Sequence, residues 1–167
     1  MHNAVQGFMV LALWNGNGLL SLRADDAAAW VEAYKKGGEY HLLKLRLDGF
    51  LSLYKKIKMQ SSFSTIGAGP FPAKPAHGKS MNMLNRFRNE FIHFTPKGRS
   101  LQLSGLPQIC MDTLEVVEFF GWNSTAIQGH DEGHVERAKR AVDCLRRSLM
   151  ALNIEYGLPA KQKKAIR

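Results

Sequence analysis

Near the end of the chain Val135, Ala138, Val142, Leu145, Leu149 and Leu152 recur at alternating spacings of three and four. That period lines one face of an α-helix and no face of a strand, whose side chains alternate at a period of two. A helix with such a stripe must bury it against other helices, so the segment opening at Asp131-Glu132 predicts the seam of an antiparallel helical bundle. No run of alternating β-branched residues long enough for a strand occurs elsewhere. The expected fold class is all-α, a bundle of about five or six helices.

The remaining helices are read from stripes and stop signals. Asn3 to Trp14 is apolar nearly all round, which predicts a helix packed on several sides and halted at Asn15-Gly16-Asn17-Gly18. Asp25-Asp26 suits a positive helix start, and that helix ends at Lys35-Lys36-Gly37-Gly38. Leu43, Leu47, Phe50, Tyr54 and Ile57 predict a long amphipathic helix over 41–59 with a basic outer face. Residues 60–79 hold Gly67, Gly69, Pro70, Pro72, Pro75 and Gly78, so a long Gly/Pro-rich loop is expected there. Ser80 is expected to cap the next helix, which Thr95-Pro96 breaks, and a fifth lies within Leu106 to Phe120, closed by Gly121. Residues 1–158 form one domain in this reading, and 159–167 a basic tail. Trp14, Trp30 and Trp122 are expected as core anchors.

Charge narrows the partners. The 167 residues include 23 Lys and Arg against 14 Asp and Glu, a formal charge of +9 that favours a polyanion such as nucleic acid. No apolar run approaches the roughly 20 residues of a membrane span. The opening residues lack the basic start of a signal peptide, so the expected compartment is the cytoplasm. Cys110 and Cys144 are expected as buried free thiols. His130 and His134 are four apart, but Asp131 stands where the metallopeptidase pattern needs Glu, and no third ligand is evident. Gly67-Ala68-Gly69 has no following Lys-Ser/Thr and does not form a phosphate loop. Neither a metal nor another cofactor is expected.

The chemistry-bearing stretch is Leu84-Asn85-Arg86-Phe87-Arg88-Asn89-Glu90-Phe91-Ile92-His93-Phe94-Thr95-Pro96. At about 100° per residue, Leu84, Phe87, Phe91 and Phe94 fall within roughly 80° of one another and predict the buried face. Asn89 and His93, one turn apart, fall nearly opposite. Arg88 sits on the flank, where its long side chain can lean toward His93, and Ile92 also projects off the core face. Imidazole moves protons near neutral pH, guanidinium clamps phosphoryl charge with paired hydrogen bonds, and an amide can orient the imidazole or bind a phosphate oxygen. The residues alone leave a second reading open, in which His93 is a cation at a helix C-terminus and Arg88 a surface charge. Arg86, Lys97 and Arg99 either extend a basic path for an RNA backbone or are solvated charges.

Arg88-Asn89-Glu90-Phe91-Ile92-His93 resembles the motif of the HEPN superfamily, the higher eukaryotes and prokaryotes nucleotide-binding domains. In that motif an Arg, often followed by a polar residue, precedes a His by a spacer of four to six residues; here the spacer is Asn89 to Ile92. The resemblance implies a helical bundle, commonly a homodimer whose two motif copies face a shared cleft. It implies a metal-independent endoribonuclease that uses the 2′-hydroxyl as nucleophile, with Arg88, Asn89 and His93 at the reaction centre. Toxins and defence effectors with a cognate antitoxin protein are among such enzymes. Other members are non-catalytic modules that bind RNA, nucleotide or a partner protein, and that alternative stands beside the enzyme.

Overall fold

A computed structural model describes residues 1–14, 17–38, 43–64, 67–92, 105–127 and 131–157. They form six α-helices: α1 His2–Leu13, α2 Ala24–Lys35, α3 Phe50–Lys56, α4 Pro75–Ile92, α5 Leu106–Glu118 and α6 Glu132–Gly157. An isolated antiparallel bridge, Leu22 to Leu47, is the sole β-type pairing among the described residues. The fold is the expected all-α bundle, and no described helix is long and apolar enough to cross a membrane.

α1 is the central element and packs on α3, α4 and α5. Val5, Met9, Ala12 and Leu13 are fully buried, joined in one core by Phe50, Leu53 and Ile57 around α3, Met81 and Leu84 of α4, and Val116 and Val117 of α5. Burying a side chain of this size stabilises the fold by about 1.5–3 kcal/mol. α1 is not enclosed on all sides, because Leu11 is exposed and Trp14 is 55% exposed. The indole lies across Gly18, whose φ of +71° and missing Cβ allow that close approach; Trp14 therefore covers a turn instead of anchoring the core. Trp30, half-buried, stacks on Tyr34, and Trp122 is also half-buried.

Among the described residues, the helix expected over 41–59 is limited to Phe50–Lys56. Residues 43–49 run without helix, since the Leu22–Leu47 bridge ties them to the segment before α2 and Arg46 ties them to α2 itself. Arg46 bonds Asp26 and Asp25 at 2.8–3.0 Å, while its carbonyl accepts from the Arg23 N–H at 3.1 Å. The expected loop over 60–79 is also shorter. A 3₁₀ turn occupies Gln60–Ser62, and α4 starts at Pro75, whose fixed φ and absent N–H suit a first helical position. Phe63, Ala68 and Phe71 are buried, so part of this Gly/Pro-rich stretch belongs to the core.

Ser80 is consequently inside α4, not at its cap, and donates to Asp112 Oδ2 of α5 at 2.5 Å. α5 passes into a π-helical turn, Phe119–Asn123, which places both Phe119 and Phe120 against Phe71. α6 packs on α5, with Arg146 donating twice to Glu118, at 2.6 and 3.2 Å. Only part of its stripe is covered: Leu149 is buried, Val135, Ala138 and Val142 are half-buried, and Leu145 and Leu152 are exposed. The 26-residue helix is twice the length of the 13-residue α5 on which it packs. Cys110 is half-buried, with burial pushing its thiol up, whereas Cys144 is exposed, contrary to expectation; both are free.

Candidate functional site

The buried residues of α4 are His77, Ser80, Met81 and Leu84. Beyond Leu84 the described helix continues for two more turns without burying another residue. Phe91, expected in the core, is 68% exposed and Ile92 is 58% exposed. The core surface offered to α4 ends before the apolar period does, so Phe91 projects past it. Phe87 is half-buried at the margin.

Asn85, Arg88 and Asn89 follow at helical spacing and share one face of these last turns. They meet the start of α1. Together with His2, Gln6 and Arg23 they line an open pocket of about 450 Å³, whose remaining wall is residues 49–52 at the start of α3. His2 is nine-tenths buried; its ring stacks on Phe50 with centroids 4.0 Å apart, and Nε2 lies 3.3 Å from Asn85 Oδ1. Arg88 Nη1 donates to Asn89 Oδ1 at 3.0 Å. Asn89 thus braces the guanidinium through its carbonyl.

Electrostatics sets the pocket's preference. Its lining carries two guanidinium groups and an imidazole and no carboxylate. The nearby acids are engaged elsewhere: Arg46 takes Asp25 and Asp26 by hydrogen bonds, and its bond holds Asp26 below the usual carboxylate range. Asp48, beside α3, is raised by burial, but Lys56 and the Gly49 N–H more than offset this and leave it below the ordinary value. Two cations without a counter-charge in a concavity favour an anion, and planar guanidinium matches phosphate oxygens in pairs.

The structure thus brings together Arg88 and Asn89 of the expected site. Arg86 is not with them: it pairs with Glu90 at 3.5 Å and lies over the Phe87 ring. His93, Lys97 and Arg99 lie outside the described residues, as do His130 and the 159–167 tail. His134 pairs with Asp131 at 3.1 Å, and no group of three or more His, Cys, Asp or Glu able to hold a metal occurs among the described residues. The sequence reading missed His2, Gln6, Arg23 and Asn85. No local pattern announces them, because they come from α1, the junction before α2, and α4, and become neighbours only on folding.

A second pocket, of about 470 Å³, lies between Tyr54, Lys58, Phe71 and Lys74. Its cations are already engaged, Lys74 with Glu115 at 2.8 Å and Lys58 over the Tyr54 ring at 4.5 Å. The fold and the first pocket define the class of this chain: an all-α bundle with an acid-free, cationic pocket beside the end of its fourth helix. No protein-family model, curated protein or solved structure matches the chain.

Proposed function

We propose that the chain is a metal-independent endoribonuclease of HEPN type, acting as a homodimer with RNA in a shared cleft. In this reading His93 takes the proton of a ribose 2′-hydroxyl, and the 2′-oxygen attacks the adjacent phosphorus. The bond to the 5′-oxygen breaks, leaving a 2′,3′-cyclic phosphate and a 5′-hydroxyl, and the imidazolium returns its proton to the leaving oxygen. Arg88 clamps the extra negative charge of the phosphorane, and Asn89 braces Arg88. A toxin or defence effector restrained by an antitoxin protein is a setting that such an activity fits.

One observation carries the reading: Arg88, five residues before His93 in sequence, lines an acid-free pocket beside a second arginine. The formal charge of +9 supports a polyanionic substrate. The pocket also favours a second reading, a module that binds RNA or nucleotide without cutting it, because its cations suffice for binding alone.

Size-exclusion chromatography with light scattering, followed by RNA cleavage in EDTA on the same fraction, tests this. The expected result is a dimer that cuts RNA, with His93→Ala slower by at least about 100-fold and still folded and dimeric. Equal background cleavage by both proteins overturns the enzyme. A stable, inactive, RNA-binding protein transfers the function to the binding module, and a monomer contradicts the shared cleft.

A further inference from the structure

We propose that the pocket between α1 and α4 is a phosphate subsite, with Arg23 and Arg88 gripping one phosphate group and the Asn85 amide, oriented by His2, supplying a hydrogen bond at its base. The inference rests on and deepens the endoribonuclease reading, and adds to Arg88 residues outside the Arg88-to-His93 stretch. Its physical basis is the pocket itself. Arg23 sits at the junction before α2, and its side chain makes no hydrogen bond or ion pair within the described residues. Its charge is felt by Asp26, but that carboxylate already accepts from the Arg46 backbone N–H and guanidinium. Arg23 therefore keeps its donors for a ligand.

Arg88, in the same lining, is braced by Asn89, and its planar fork has further N–H groups to offer. His2 stacks on Phe50, and its Nδ1 and Nε2 lie 3.4 and 3.3 Å from Asn3 Oδ1 and Asn85 Oδ1, so the imidazole holds the Asn85 oxygen and leaves the Asn85 Nδ2 to a ligand. The volume of about 450 Å³ is within the usual range for small-ligand pockets and admits a nucleotide. Phosphate is the class that matches two guanidinium groups with no carboxylate between them. It can come from an RNA backbone next to the scissile bond or from a free nucleotide.

Fluorescence anisotropy with a labelled, fully 2′-O-methylated 12-nucleotide RNA separates binding from cleavage, because the nucleophile is blocked. Arg23→Ala is compared with the native chain and with Lys139→Ala, which removes the same charge from α6, a helix absent from the pocket lining. One lost phosphate contact lowers the slope of log affinity against log salt by about 0.7, a roughly fivefold loss at 0.1 M salt. The expected result is that loss for Arg23→Ala, little change for Lys139→Ala, and partial rescue by Arg23→Lys, all with unchanged circular dichroism. Calorimetry with 5′-AMP distinguishes the sources. Weakened 5′-AMP binding in Arg23→Ala with RNA binding intact supports a free nucleotide as the phosphate donor.

Equal behaviour of Arg23→Ala and Lys139→Ala with both probes overturns the subsite. Cleavage of unmethylated RNA is scored separately. An uncleaved RNA whose affinity still depends on Arg23 leaves the subsite standing and removes the nuclease, whereas cleavage without any Arg23 dependence does the reverse.

Discussion

At the scale of single residues, a polar network joins α4 to α5 beneath the pocket-bearing turns. His77 Nδ1 accepts from the Lys74 N–H at 2.9 Å, so Nε2 carries the proton and donates to Glu115 Oε2 at 3.1 Å. Partial burial raises the Glu115 carboxyl, but the hydrogen bond and charge of Lys74, with the hydrogen bond from His77, outweigh it and leave Glu115 below its ordinary value. A depressed folded value contributes stability that is fully present above the unfolded value near 4.5 and is lost as pH falls through the folded one. Glu115→Gln should therefore flatten the decline of the melting temperature between about pH 5 and pH 3, measured by calorimetry. An unchanged acid limb would remove Glu115 from the account. Ser80→Ala should cost about 1–3 kcal/mol in urea unfolding, near the lower end, because Gln108 still donates to the buried Asp112.

Among the helices, α4 divides into an anchored part and an overhanging part. Met81→Ala, in the anchored part, should cost about 2–5 kcal/mol through its cavity, whereas Phe91→Ser, on the overhang, should stay within about 0.5 kcal/mol by urea unfolding. Comparable losses at both positions would mean that Phe91 is covered in solution. This division also explains which elements were legible in sequence. α2 was legible because its acidic start and basic end complement the helix dipole, and the existence of α6 because its stripe runs through many turns. The stripe from Leu43 to Phe50 misled because periodicity does not register Arg46 bonding to Asp25 and Asp26, which holds that segment out of helix. The start of α4 was hidden by prolines that read as a loop, although Pro75 is compatible with a first helical position. In the site, Arg88 and Asn89 were legible from a short motif, while His2, Arg23 and Asn85 depend on α1, the junction before α2, and α4 meeting.

For the whole molecule, the proposal joins the excess of positive charge to the acid-free pocket. In it the charge of +9 draws a polyanion from a distance set by ionic strength, and the pocket is where guanidinium groups meet phosphate. RNA affinity should therefore fall steeply with salt, and a flat salt dependence by anisotropy would contradict a phosphate-gripping surface. The proposed chemistry is tested most directly by identifying the ends of the cut strand. RNA incubated with the native chain in EDTA should yield 2′,3′-cyclic phosphate and 5′-hydroxyl ends, and an otherwise identical strand carrying one 2′-deoxy sugar at the cleaved position should remain intact there. Products with 3′-hydroxyl and 5′-phosphate ends, or equal cutting at the deoxy position, would contradict 2′-oxygen attack.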